Sequence, residues 1–376
     1  MNEYMDKSIF RKRIAVLRQK LAGMDCDTAW VIQPENRRYL SGFRAEDSQF
    51  TESSGSLFIN ESQSILATDS RYTLDAERES VDFDVQTLKK GLLDGLPGLL
   101  KRMGTENLGF EGDYLTWGLH RELSERLLEY SPSVGLMPLS GVVEEMRLVK
   151  DEPEIRTLEA SADLMSDILD EVITGLEPGM TEKQVAWQIE GRIRESEADG
   201  LAFPPIVASG PNSALPHAVP TDRKLEKGDS VILDVGLRLN GYCSDMTRTV
   251  FLGGPSADFV EIYRTVREAQ TNSLKEVRSG VMSNYPDAIA RQIINDAGFG
   301  GYFGHGLGHG VGLATHERPR LSPLKPTKLK KGMVVTVEPG IYIPGKGGVR
   351  LEEMVVIEAD GPRILTRAGN LYDFST

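Results

Sequence analysis

Cysteine is nearly absent. Cys26 and Cys243 stand alone among 376 residues, so a disulfide framework is not expected and a reducing cytoplasm is the default compartment. Long apolar runs are missing too. No stretch reaches the roughly 18 to 20 residues that span a bilayer, and the opening MNEYMDKSIFRKRIAVL lacks an apolar core of signal-peptide length. Positive charge is in deficit, with a net charge of -13, which argues against a nucleic-acid backbone or an anionic membrane as the main partner. Several catalytic signatures are also wanting. No GxGxxG or GxSxG occurs, and the GxxxxGK match from Gly340 to Lys346 is followed by Gly347 where a phosphate loop needs Ser or Thr. Cys243 reads as a packing residue, free cysteine being commonly buried. Five histidines are few, and their placement is therefore informative.

What is present is a repeat. Residues 227 to 236 read KGDSVILDVG and residues 331 to 340 read KGMVVTVEPG, setting Asp234 and Glu338 in the same register. Each copy continues through a glycine-containing turn into a second strand bearing another acid, Asp245 in SDMTRT and Glu352 in VRLEEM. Asn240-Gly241 is a strong type I′ hairpin signal. Counting back from it sets Asp234 opposite Thr247, with Asp245 a diagonal neighbour on the same face, roughly 7–8 Å away by backbone pairing. Counting about Gly345 sets Glu338 opposite Glu352, although Pro339 interrupts that ladder. A single acid on a strand is ordinarily solvated. Four at matching positions of a repeat, inside runs as apolar as VILDVG and VVTVEPG, point to a shared site, because unpaired buried charge is costly.

Around this repeat the chain divides at a charged, proline-containing stretch, EMRLVKDEPEI, giving expected domains 1–148 and 149–376. In the first, strands near 29–33, 56–59, 64–69, 85–88, 108–112 and 134–139 alternate with helices near 7–23, 70–80, 93–103 and 118–130, predicting an α/β domain. In the second, helices over 153–174, 182–198, 258–278 and 286–297 precede the two hairpins. The plan helix, helix, strand, hairpin occurs twice, predicting an α+β domain with helices covering one face of a curved antiparallel sheet. Thr181 and Gln184 read as a capping box.

Four of the five histidines, His217, His305, His309 and His316, fall within the second domain. GHGLGHGVGL carries glycine too densely for a helix, so His305 and His309 lie on an extended chain with Cα atoms roughly 13 Å apart. They are not expected to share one metal ion. Carboxylates with imidazole make a set suited to divalent metal.

ILDVG, SDMTRT, HGLGHGVGL, TVEPG and VRLEE together resemble the M24 metallopeptidases, which have the pita-bread fold, and residues 1–148 resemble the creatinase-type domain that precedes it in proline-specific members. The resemblance implies two divalent ions. Asp234 would be bidentate to one, Asp245 and Glu352 would bridge both, and His309 and Glu338 would complete the set. Mn2+ is the expected metal, with Co2+, Fe2+ or Zn2+ able to enter. Glu338 is implied as the proton shuttle, His217, His305 and His316 as substrate-facing or supporting histidines, and Arg350 as an orienting residue. The implied function is a cytoplasmic, homodimeric Xaa-Pro aminopeptidase acting on peptides with proline second. Xaa-Pro dipeptidase is the near alternative, and a non-catalytic pita-bread binding protein the alternative from another class. A methionine aminopeptidase would lack so large an N-terminal domain, and creatinase-like hydrolases have lost the ligand set.

Overall fold

The computed structural model describes residues 7–46, 53–367, 369, 371, 372 and 374. By contact density the chain divides into two compact units, Met1–Arg147 and Leu148–Thr376.

The first unit is built on a six-stranded mixed sheet. Thr28–Val31 lies inside it, antiparallel to Ser56–Ile59 and parallel to Asn107–Phe110. Ser64–Thr68 and Asp84–Thr87 extend one side, and Gly135–Pro138 the other. Thr28–Val31 and Ser56–Ile59 are buried along their whole length, which is why their sequences run apolar without alternation. Trp30 stacks on Phe58 with centroids 5.9 Å apart, and Leu96, Leu99 and Leu100 of the helix Leu92–Met103 close over them. Two helices escape a reading of apolar periodicity, Pro34–Ser41 and Val142–Arg147. Both are short, and the first buries Asn36, Arg37 and Ser41 beside Tyr39 and Leu40, so polar contacts hold it as much as apolar ones.

The second unit carries the duplicated plan. Helices Glu152–Thr174 and Glu182–Glu195 precede the antiparallel strands Ile206–Ser209, Ser230–Val235 and Met246–Phe251. Helices Ala257–Glu276 and Asn284–Asp296 precede a five-stranded sheet in which Val334–Val337 pairs with Glu353–Ile357. Capping boxes open the first two helices, Asp151 with Glu154 and Thr181 with Gln184. Each half has its own core, one around Met165, Leu169, Val185 and Ile189, the other around Ile262, Val266, Ala290 and Val355. Ile189 is fully buried, and its truncation to alanine would cost about 2–5 kcal/mol. Among the described residues no helix is long and apolar enough to cross a membrane.

Both hairpins keep the register counted from their turns. Leu239 pairs with Tyr242 and Asp234 with Thr247. Gly340 pairs with Arg350 and Val337 with Glu353, which sets Glu338 and Glu352 facing each other between those pairs. Polar bonds then draw the two hairpins together. Glu352 N–H donates to Thr247 O at 3.1 Å, and Thr249 Oγ1 donates to Arg350 O at 2.8 Å.

Candidate metal centre

This join brings the acids of both hairpins to one place. Donor atoms of Asp245, His309 and Glu352, all buried, lie within 4.8 Å of one another. His309 Nε2 is 3.6 Å from Asp245 Oδ2 and 3.4 Å from Glu338 Oε1. His309 Nδ1 faces Gly310 O at 3.0 Å, so a proton placed there is satisfied by the backbone and Nε2 keeps its lone pair for a ligand. Asp234 lies outside that group of three but lines the same cavity from the end of its strand. Its Oδ2 accepts from Arg350 Nη2 at 2.6 Å, while its Oδ1 is buried without a hydrogen-bond partner.

The strand Gly308–Gly310 holds His309 by an unusually close approach. A Cβ on Gly308 would lie 2.0 Å from Thr336 O, so the glycine density of GHGLGHGVGL reflects backbone packed on backbone. His305 sits outside the ligand cluster, bonding Gly306 O at 2.8 Å and Tyr342 Oη at 2.9 Å. His316 stacks near His309 with ring centroids 4.2 Å apart. His217, His305 and His316 all line the same cavity as the acids, a space of about 1100 Å³.

Electrostatics mark the cluster as incomplete by itself. Burial pushes the Asp245 carboxyl well above the usual range, and Glu352, Asp234 and Glu338 push it further. Glu352 is raised by burial and then by Glu338 and Asp234. Burial lifts Glu338 to about 8, with Arg350 opposing and Asp234 adding. Burial also lowers His309 and His305 to about 4, keeping both imidazoles neutral. Carboxyls that raise one another's pKa, a neutral imidazole and an orphaned carboxylate oxygen are a donor set that fits divalent cations, whose charge inverts this cost.

Comparison with known proteins gives the family. The model of metallopeptidase family M24 matches residues 156–359, and that of the creatinase/prolidase N-terminal domain matches residues 13–149. The chain belongs to metallopeptidase family M24. A Xaa-Pro dipeptidase of Pyrococcus furiosus is 38% identical over 294 residues, covering 78% of this chain and 82% of that protein. A solved Xaa-Pro dipeptidase from Bacillus anthracis superposes with a TM-score of 0.88 at 35% identity, over 96% of this chain and 98% of the other. An X-Pro aminopeptidase from Thermotoga maritima gives 0.83 at 35% identity, over 94% and 98%. The fold is thus a creatinase-type N-terminal domain followed by the α+β pita-bread domain.

Within this M24 domain a second layer of groups went unread in the sequence. Tyr342 Oη accepts from Arg350 Nη1 at 2.9 Å and meets His305, making a chain from His305 through Tyr342 and Arg350 to Asp234. Thr247 Oγ1 donates to Glu352 Oε2 at 2.7 Å and accepts from Arg350 Nε at 3.1 Å. Burial raises the Tyr342 phenol to about 12, so it stays protonated. Its signal was in the hairpin count. Tyr342 falls opposite Gly348, where a Cβ would sit 2.3 Å from Ser213 O and 3.0 Å from the ring, so the glycine admits the Ser213 backbone as well as the aromatic.

Proposed function

We propose that the chain is a dinuclear metal-dependent Xaa-Pro dipeptidase. The observation that carries this reading is the convergence of Asp234, Asp245, His309, Glu338 and Glu352, with one Asp234 oxygen lacking a partner, in a chain resembling Xaa-Pro dipeptidases over nearly its full length. Two divalent ions held there would lower the pKa of water toward neutrality and polarise the scissile carbonyl. The oxygen-rich donors favour Mn2+.

The chain's own groups supply the rest. Asp245 and Glu352, buried side by side, would hold the ions together with Asp234, which Arg350 fixes in place. Glu338, buried in the cluster beside His309, carries a proton to the departing proline nitrogen. His316 donates to the carbonyl oxygen as it gains charge. His217 borders the substrate, and His305 holds Arg350 in place through Tyr342. Arg320 lies opposite His309 across the strands and lines the cavity, suitably for the free carboxylate of a dipeptide.

The aminopeptidase reading, placed first on sequence, retains one observation in its favour. The cavity of about 1100 Å³ exceeds the ordinary range of about 300–1,000 Å³ for ligand pockets. Turnover of Leu-Pro against Leu-Pro-Gly decides between them. Preferred cleavage of Leu-Pro supports the dipeptidase, preferred cleavage of Leu-Pro-Gly supports the aminopeptidase, and cleavage of neither with Mn2+ present overturns both. A homodimer is proposed alongside, and sedimentation at the monomer mass would refute it.

A further inference from the structure

The cavity wall carries more positive charge than a dipeptide's single free carboxylate calls for. Its lining includes four carboxylates, Asp234, Asp245, Glu338 and Glu352, and four permanent cations, Arg318, Arg320, Lys325 and Arg350. Among the described residues only Arg350 of these cations has a carboxylate partner, Asp234. In a chain with a net charge of -13, acids outnumber bases and cations are readily paired. Exposed Arg367, for example, meets both Asp163 and Asp167. Arg318, Arg320 and Lys325 are equally exposed yet remain unmatched, and all three face one cavity.

Their arrangement is specific. Arg318 and Arg320 both belong to the strand Glu317–Leu321, whose pairing with Gly308–Gly310 slips between Arg320 and Glu317, and both line the cavity. Arg320 is opposite His309 and serves the terminal carboxylate in the reading above. Lys325 follows on a segment with φ of 48°, a left-handed position that fixes its turn. Any cation bound among the four carboxylates makes the interior more positive still. The four cations offset the four carboxylates, so the cleft is far less negative than the protein as a whole, and low-dielectric walls focus the field of its unpaired cations.

We infer that Arg318 and Lys325 select substrates carrying a second negative group, so that Xaa-Pro dipeptides with Asp or Glu first are preferred over their uncharged isosteres. This rests on the Xaa-Pro reading and extends it to the first residue.

The test compares Glu-Pro with Gln-Pro, nearly identical in shape and different by one charge. For the parent, kcat/KM for Glu-Pro should exceed that for Gln-Pro by about tenfold at low salt, and the ratio should shrink near 1 M salt, where the screening length falls to about 3 Å. Arg318→Gln should bring the ratio below about threefold, with Lys325→Gln smaller in effect, as expected for solvent-facing pairs. Equal rates for the two dipeptides in the parent, or a ratio untouched by both substitutions, would overturn the inference. A readout without turnover separates it from the functional reading. Calorimetry on metal-free protein should find N-glutaryl-proline binding tighter than N-butyryl-proline, and the difference should vanish in the double variant. If no Xaa-Pro dipeptide is cleaved, the peptidase reading fails, and this calorimetric difference alone decides whether the cavity selects the second charge.

Discussion

Each unit buries acid, and the two arrangements have opposite meanings. In the first unit Glu111 stands among N–H donors. Its Oε2 accepts from the amides of Ile32 and Gln33 at 2.5 and 2.6 Å, and its Oε1 from Asn36 Nδ2 at 2.6 Å. Arg147 donates in turn to Asn36 Oδ1 at 2.7 Å. Every oxygen of Glu111 is satisfied, and the carboxyl pins the start of the helix Pro34–Ser41. In the second unit Asp245, Glu338 and Glu352 face one another, and one oxygen of Asp234 faces nothing. A buried acid ringed by donors is a structural member. Acids ringed by acids need positive charge beside them.

The sharpest way to break this comparison is Asp245→Ala, expected to lower kcat/KM by at least about 10³-fold and to reduce bound divalent metal per chain, since metal chemistry supplies most of the rate. Elemental analysis reads the second quantity, and unchanged metal content would refute the contrast. Asp245→Asn sharpens it further. By relieving like-charge burial it should stabilise the metal-free protein by about 1–2 kcal/mol in urea unfolding while abolishing turnover. Tyr342→Phe, which removes only the hydroxyl bridging His305 and Arg350, should cost about 10–100-fold in activity or metal affinity with little change in Tm.

Glu111→Gln acts on stability instead. Burial pushes Glu111 from an ordinary 4.5 to about 7, against the opposing donors Gln33, Asn36 and Ile32. Below the ordinary value the acid is protonated both folded and unfolded. Between the two values the unfolded chain has lost the proton and the folded chain keeps it, so stability falls as pH rises through that window. The parent should lose on the order of 2–3 kcal/mol more than the Glu111→Gln variant between pH 4.5 and 7. Parallel stability profiles would refute it. Least of all, Asp222→Asn removes an exposed 2.8 Å pair with Lys183 and should leave Tm unmoved within error.

The pairing of the acids was legible in the sequence. The acids recur at matching positions of a repeat, and a hairpin's register follows from its turn, so counting from Asn240-Gly241 and Gly345 sufficed to pair Asp234 with Thr247 and face Glu338 to Glu352. Glycine at alternate positions excluded a helix for His305 and His309, and only the family resemblance singled out His309 as the ligand. Helix Pro34–Ser41 was not legible, since it is short and its buried face mixes Asn36, Arg37 and Ser41 with Tyr39 and Leu40, and its stability comes from partners distant in sequence. Tyr342 was missed because a tyrosine in GIYI reads as an ordinary strand aromatic until Arg350 and His305 are set beside it.

Local rules of pairing and periodicity thus determined, from the sequence alone, which residues share a face and which are candidates to bind metal. How close those faces come was decided only by the tertiary structure. Thr247, Thr249 and Glu352 join the two hairpins through bonds spanning about a hundred residues, and the same closure leaves Arg318, Arg320 and Lys325 on one wall without acids. The physical reason is range. Backbone register propagates from a turn within a few residues, whereas desolvation and mutual repulsion of charges depend on distances that exist only once the chain has folded.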